Sequence, residues 1–366
     1  MVKRNYNIDL FRIIATFLVI VLHVLGQGGI LNSTSPNEAN YWIGWFLEAG
    51  SFCAVNCFAL ITGYVMVNKT IKAKNIIVLW FQVLFYSVLL TGLFFVFRPE
   101  SRGLKNLILA VIPIFGKQWW YMSSYFALFF FIPFLNKAIT HSSQQTYKKF
   151  LLLILAGICC IGCILPIDAF GFRSGYSTAW LIALYLFGAY IRKYDLGKTA
   201  TTFQCLFGFF AMIVLTFISK LVIYLLTRRV LGQAKYDNTF ISYTSITIVL
   251  AAVFLFLFCL KIKIGNIASK LIRFVSPATL GVYLIHVHPL VFNILIKDAF
   301  VSFATKSPLE MIGLVTVASV VIFAACVIIE LLRIELFKLI KVGKLSDWIA
   351  QKMNVFYFRF FKTKLQ

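Results

Sequence analysis

Three side chains that can exchange protons or bind anions lie at helical spacing near the start of the chain, within the segment DLFRIIATFLVIVLH at positions 9–23. A helix turns by about 100° per residue, so the eleven-residue step from Arg12 to His23 returns to nearly the same face about 16 Å further along. Asp9 and Thr16 fall on that face as well. The sequence therefore predicts a helix with one polar stripe on an otherwise apolar surface.

The spacing of Arg12 and His23 favours a chemical role for both side chains. An ionisable group at membrane depth costs several kcal/mol, so it normally faces protein or a hydrated cavity. We interpret His23 as a catalytic base, Arg12 as the group that orients an anionic or polarised substrate, and Asp9 and Thr16 as supporting residues. Two simpler explanations remain open: Arg12 as an anchor that reaches the lipid headgroups, and His23 as a hydrogen bonder between helices.

Composition predicts the elements that must position these residues. The chain has 366 residues, of which 61% are hydrophobic and 13% are charged, and its mean hydropathy is +0.90. These values exclude an ordinary soluble globule and predict an all-α polytopic membrane bundle. The first apolar run has charges within it and no small-residue cleavage site, so we expect it to remain in the protein.

About ten stretches are long and apolar enough to cross a bilayer. We expect membrane spans at residues 8–27, 43–67, 75–97, 119–137, 150–167, 177–193, 204–227, 239–260, 276–297 and 308–333. The distribution of Lys and Arg between these spans predicts cytoplasmic N- and C-termini. Residues 1–340 would form the membrane-embedded domain, and residues 341–366 a basic amphipathic tail on the inner leaflet.

The charge and the cysteines point to neither nucleic acid nor metal. The net charge of +23 comes from Lys and Arg spread over the loops, so we expect no nucleic-acid partner. All eight cysteines lie in apolar runs and are interpreted as small hydrophobic residues. The spacings Cys53-x3-Cys57 and Cys160-x2-Cys163 suit a metal, but no histidine or carboxylate cluster accompanies them. The sequence predicts no metal site and no bound cofactor.

Further polar and aromatic residues are candidates for contact with a substrate. Seven of them are predicted to bind a substrate, namely Glu48, Tyr64, Trp120, Tyr121, Arg173, Tyr283 and His286. Alternatives stay open for several of these residues. Glu48 is equally explained as a carboxylate at headgroup level, Trp120 and Tyr121 as part of an interfacial aromatic belt, and His286 as a hydrogen bonder between helices.

Three lysines in front of the third span form a second candidate group. Lys69, Lys72 and Lys74 would suit an anionic cytosolic ligand such as a nucleotide diphosphate, because lysine binds phosphate well. The same residues are also typical determinants of membrane orientation. We expect them to bind the phosphates of such a ligand.

Four motifs in this order resemble acyltransferase family 3, whose members are integral-membrane acyltransferases of bacterial surface polysaccharides. Arg12 and His23, with ten residues between them, match the family pattern of the first helix, and IDLFRIIATFLVIVLH as a whole is similar to its usual opening. Thr62-Gly63-Tyr64 in FALITGYVM is similar to the Ser-Gly-Phe or Ser-Gly-Tyr segment. The other two motifs are WWYMSSYFALFFFIPFL and LGVYLIHVHPL. In one place the chain differs, because Lys69, Lys72 and Lys74 are the only basic residues on the cytoplasmic side of the third span, where many members have paired arginines.

The resemblance implies transfer of an acyl group, commonly acetyl, from cytosolic acyl-CoA to a hydroxyl or amine at the other face of a bacterial plasma membrane. The implied partners are membrane lipid, acyl-CoA as co-substrate, a glycan or lipid-linked sugar as acceptor, and proteins of polysaccharide synthesis. His23 could act as a general base or carry the acyl group covalently.

A transporter, flippase or exporter of a surface polysaccharide is the competing class. It would explain many spans and buried charges equally well. The sequence lacks a pair of corresponding Gly- or Pro-interrupted spans in two halves, which is the usual sign of an inverted repeat in transporters. A structural or sensory membrane protein would leave the register of Arg12 and His23 unexplained. The sequence therefore favours the enzyme.

Overall fold

The computed structural model of the protein describes residues 4–161 and 171–357, and the regular structure in these ranges is helical throughout. The helices are α1 Tyr6–Leu25, α2 Ala39–Ser51, α3 Ala54–Met66, α4 Ala73–Phe97, α5 Leu104–Val111, α6 Trp120–His141, α7 Gln144–Ile154, α8 Thr178–Tyr194, α9 Thr202–Leu231, α10 Ile246–Lys261, α11 Asn266–Val275, α12 Thr279–His286, α13 Pro308–Leu339 and α14 Val342–Tyr357. The all-α prediction is confirmed for the described part of the chain.

Within the described ranges, six helical segments are long and apolar enough to cross a membrane. They are α1, α2 with α3, α4, α6, α9 and α13. The number of candidate spans rises to seven if the helical segments 266–286 and 289–296, whose axes are bent by 62° at the break between them, form one broken span. The predicted span 150–167 extends into residues 162–170, which lie outside the described residues together with Cys163.

Three predicted spans differ in shape from the structure. The span at 43–67 is two helices, α2 and α3. The span at 239–260 begins only at Ile246, because the preceding turns are held by side chains: the Asn56 amide donates to the Tyr243 carbonyl at 2.8 Å. The span at 276–297 breaks after His286, since Pro289 has no N–H and the His288 ring accepts from the backbone N–H of Leu290 instead.

Helix α1 lies at the centre of the bundle. It packs against α2, α3, α10, α11, α12 and α13. Phe11 is fully buried and stacks on Phe256 of α10, with ring centroids 4.6 Å apart. Helices α3 and α8 pack closely against each other beside α1. A Cβ at Gly63 of α3 would overlap the backbone of Tyr185, and a Cβ at Gly188 of α8 would overlap the backbone of Leu60. Gly63 and Gly188 therefore permit the close approach of α3 and α8.

A buried polar cluster fixes α12 against α4 and α13. Glu330 of α13 is fully buried and accepts hydrogen bonds from Gln82 at 2.9 Å, from Tyr86 at 2.5 Å and from Arg333. A Cβ at Gly281 of α12 would overlap the Glu330 carboxylate, so α12 lies directly against this cluster. The cluster thereby sets the position of the helix that carries Tyr283 and His286.

Candidate active site

The first turns of α1 hold an acidic centre between two arginines. The Asn5 side chain caps the helix by accepting from the N–H groups of Asn7 and Ile8. Asp9 is 6% exposed and pairs with Arg4 at 2.5 Å and with Arg12 at 3.2 Å. A carboxylate three residues before an arginine lies beside it on the helix surface, and this contact holds the Arg12 guanidinium.

The Thr16 side chain bonds to its own helix and is not among the residues that line the cavity described below. Its hydroxyl donates to the Arg12 carbonyl at 2.8 Å, as buried helical threonines often do. The side chain is 1% exposed. The polar stripe predicted on α1 therefore has functional groups at its two ends and a backbone-bonded hydroxyl in between.

His23 contacts a second histidine on α12. The ring nitrogens His23 Nδ1 and His286 Nε2 are 3.1 Å apart, and His286 Nδ1 lies 2.6 Å from the Val282 carbonyl. A carbonyl oxygen only accepts, so His286 Nδ1 carries the proton of a neutral ring and His286 Nε2 accepts from His23 Nδ1. In the neutral pair the basic nitrogen of His23 is therefore Nε2.

Arg12 and His23 both line a cavity of about 470 Å³. This volume falls in the range of about 300–1,000 Å³ that is usual for small-ligand sites. The wall is formed by α1, α3, α4, α6 and α12, with Asn75 near the Arg12 end and Trp120 near the His23 end. One cavity thus connects the two ends of the α1 stripe.

A row of rings leads from the histidine pair into the cavity wall. The centroids of His23 and His286 are 5.2 Å apart, and those of His286 and Tyr283 are 6.3 Å apart. Tyr283 is 6.1 Å from Tyr121, which stacks on Tyr125 at 5.9 Å. The predicted residues Tyr121, Tyr283 and Trp120 line the cavity, whereas His286 lies behind His23.

Three of the residues predicted to bind a substrate lie off the cavity wall. Glu48 is 8% exposed on α2, and its Oε2 has no hydrogen-bond partner in the described part of the chain. Tyr64 faces α8 and α10, where its hydroxyl accepts from Arg192 at 3.3 Å. Arg173 is exposed on the turn Arg173–Gly175. The structure does not bring these three side chains together with His23.

The three lysines predicted to bind phosphate lie at the Arg12 end of the protein but outside the cavity wall. Lys69 and Lys72 are exposed, and Lys74 pairs with Asp347 of α14 at 2.6 Å. The next residue, Asn75, does line the cavity. The lysines therefore border the end at which Arg12 lies, and one of them is occupied by the C-terminal helix.

Sequence reasoning missed several residues of the cavity wall. Tyr125 follows Tyr121 by one helical turn and could have been found from that spacing. Asn75 and Ser276 lie next to predicted features, but nothing in their local sequence distinguishes them. Tyr243 belongs to a turn before α10 and gives no periodic signal at all.

In the described ranges no group of three or more His, Cys, Asp or Glu side chains is arranged to hold a metal ion.

A family model described as an acyltransferase domain matches residues 5–331 of the chain. No curated protein and no solved structure matches the chain significantly. The matched region contains α1 to α12 and most of α13.

Proposed function

Because the chain belongs to acyltransferase family 3, we propose that it transfers an acyl group, in the simplest case acetyl, from cytosolic acyl-CoA to a hydroxyl of a cell-surface polysaccharide or its lipid-linked precursor. The observation that carries this proposal is that Arg12 and His23 line one cavity from opposite ends. A charged donor and a neutral acceptor can approach such a cavity from different sides.

Arg12 suits the donor end. Its guanidinium is held by Asp9, and its side chain is 38% exposed, so it is both oriented and accessible. A guanidinium binds phosphate or a polarised thioester oxygen through a planar set of donors. Exposed Lys69 and Lys72 at the same end add positive charge for the diphosphate of the donor.

His23 suits the acceptor end. Its Nε2 takes the proton of the acceptor hydroxyl while the hydroxyl oxygen attacks the thioester carbonyl carbon. The carbon–sulfur bond then breaks, and the thiolate leaves with the proton held by His23, so that free thiol and an ester result. His286 keeps the His23 proton on Nδ1. Trp120 beside the cavity offers an apolar ring face to a sugar.

The proposal includes a place in the cell. We assign the chain to a bacterial plasma membrane as a multi-pass protein of about ten spans with both termini cytoplasmic. The membrane-embedded domain is residues 1–340, and residues 341–366 form a basic cytoplasmic tail. The Lys74–Asp347 pair supports one cytoplasmic side for the α3–α4 connection and α14. Partners would be membrane lipid, acyl-CoA, the glycan acceptor and proteins of polysaccharide synthesis.

The test is acetyl-CoA turnover by the purified full-length protein in nanodiscs, measured as free thiol with an envelope-glycan extract as acceptor. We expect His23→Ala to lower kcat by about 10²–10⁴-fold, because it removes the base. Arg12→Ala should raise KM for acetyl-CoA, since it removes a donor contact. Lys297→Ala, a change of one charge outside the cavity wall, is the matched control.

The contrary results are distinct. Wild-type protein that folds but releases no thiol while binding the glycan would overturn the enzyme and favour transport of the polymer. Thiol release that persists in His23→Ala would still support an acyltransferase but would contradict the role of His23 as the catalytic base.

A further inference from the structure

Two phenol hydroxyls on residues of the cavity wall have no acceptor for their proton. Tyr121 Oη and Tyr283 Oη are buried, and neither donates a hydrogen bond within residues 4–161 and 171–357, so we call both hydroxyls unpartnered. Among the unpartnered buried polar atoms of these ranges, they are the two that belong to cavity-lining residues. Buried polar groups in folded proteins are nearly always hydrogen-bonded, so two phenols of one cavity wall that have no acceptor indicate a ligand that supplies one.

Other buried tyrosines of the chain are satisfied by the protein itself. Tyr147 donates to the Leu186 carbonyl at 2.6 Å, and Tyr86 donates to Glu330 at 2.5 Å. The fold therefore supplies acceptors for buried phenols elsewhere, and the cavity pair is an exception.

The Tyr283 hydroxyl lies beside the start of α6, and Tyr121 belongs to the first turn of that helix. This helix begins at Trp120 without a side-chain cap, and its first-turn residues Trp120, Tyr121 and Met122 all line the cavity. First-turn N–H groups have no partner within a helix, and a helix N-terminus carries positive partial charge. The backbone N–H of Tyr121 is placed to donate to the Tyr283 hydroxyl oxygen, which leaves the hydroxyl proton for another acceptor. The local field thus favours negative charge at this position.

The same hydroxyls are close to the proposed base. Tyr283 precedes His286 by one turn of α12, and the two ring centroids are 6.3 Å apart. His286 in turn holds His23. Donors for a developing negative charge and the base that creates the nucleophile therefore line neighbouring parts of one wall.

We propose that the hydroxyls of Tyr121 and Tyr283 form the oxyanion hole of the acyl transfer, donating to the carbonyl oxygen of the donor thioester. This inference rests on the proposed function and adds the catalytic residues that bind the reacting carbonyl. When the acceptor oxygen bonds to the carbonyl carbon, the carbonyl electron pair moves onto its oxygen, which both phenols stabilise. The pair returns when the carbon–sulfur bond breaks and the thiol leaves.

The test compares Tyr121→Phe and Tyr283→Phe with Tyr147→Phe in nanodiscs. Each cavity variant removes an unpartnered hydroxyl, so its Tm should stay at or above the wild-type value. Its kcat should fall by about 10²–10³-fold, the usual loss for one oxyanion donor, with little change in KM. Tyr147→Phe removes a satisfied hydroxyl outside the cavity and should show the opposite pattern, a lower Tm with unchanged kcat.

A binding measurement without turnover makes the test independent of the acceptor. The probes are the carba(dethia) ketone analogue of acetyl-CoA, which keeps the carbonyl, and S-ethyl-CoA, which lacks it. Wild-type protein should bind the ketone more tightly, and both cavity variants should lose that preference.

The outcomes separate the inference from the function on which it rests. Wild-type kcat in both cavity variants, or a Tm loss equal to that of Tyr147→Phe, would overturn the oxyanion role while thiol release still supports the acyltransferase. Wild-type protein that neither releases thiol nor binds either analogue would overturn the donor assignment and the oxyanion hole together.

Discussion

At the residue scale, a backbone carbonyl sets the proton positions of the histidine pair. Because Val282 accepts from His286 Nδ1, His286 Nε2 is left to accept from His23 Nδ1. In a neutral histidine ring, the hydrogen bond made by one nitrogen decides which nitrogen carries the proton and which one is basic. In the proposed mechanism His286 is thus a positioning residue, and the effect of replacing it should depend on whether the new side chain can accept a hydrogen bond.

Substitution of His286 tests this dependence. His286→Leu removes the acceptor for His23, so we expect kcat to fall about a hundredfold while KM for acetyl-CoA stays near the wild-type value. His286→Gln offers an amide oxygen at a similar reach and should recover part of the lost kcat. Steady-state kinetics of both variants at equal folded yield measure the difference, and equal kcat values for Leu and Gln would contradict the positioning role.

The residues of α1 could be predicted because they lie on one helix. Asp9, Arg12 and His23 recur with the helical period of 3.6 residues. This period alone predicts that Asp9 contacts Arg12 and that Arg12 and His23 lie on one side of α1, where both line the cavity. His286 is 263 residues from His23, and no local pattern encodes their contact. The sequence therefore leaves open whether His286 contacts a substrate or forms a hydrogen bond between helices. The contact between His23 and His286 depends on how the neighbouring helices orient α12.

At the element scale, the close approach of α3 and α8 shapes one side of the site. Gly63 on α3 and Gly188 on α8 each face the backbone of the other helix. Small residues permit such contact in membrane bundles, where packing rather than hydrophobicity joins helices. The glycine motif was readable in the sequence, but the identity of the partner helix was not.

Gly63→Ala tests the importance of this contact. The added methyl would overlap the Tyr185 backbone, so α3 must move from α8, and we expect a loss of about 1–3 kcal/mol in stability. Gly92→Ala on α4 is the matched control, because no atom lies within 4 Å of its added Cβ. That change should be neutral or stabilising. Thermal unfolding in detergent measures both, and equal Tm values for the two variants would contradict the close packing.

Breaks in the helices were harder to predict than their existence. Hydropathy alone favoured continuous spans at 239–260 and 276–297. In the structure, the first is shortened by side-chain contacts to distant elements, including Lys220 of α9, which pairs with Asp237 at 2.5 Å. The second breaks at Pro289, where His288 replaces a backbone partner. Such contacts arise from the assembled bundle, and a window of local hydropathy cannot report them.

At the scale of the whole molecule, several connections gather at the Arg12 end. The Asn7 amide donates to the carbonyls of Cys259 and Ile262, which joins the start of α1 to the end of α10. Lys74 pairs with Asp347, which adds the C-terminal helix to the same end. The proposed donor site requires this end to be cytoplasmic, because acyl-CoA is made in the cytosol.

Labelling of introduced cysteines with a membrane-impermeant thiol reagent tests that orientation. Asn37→Cys lies in the exposed connection between α1 and α2, at the His23 end, and should react in intact cells. Lys270→Cys on α11, near the Arg12 end, should react only after the membrane is permeabilised. The parent protein is the control, since six of its seven described free cysteines are buried. The reverse labelling pattern would place Arg12 on the outside and exclude cytosolic acyl-CoA as its ligand.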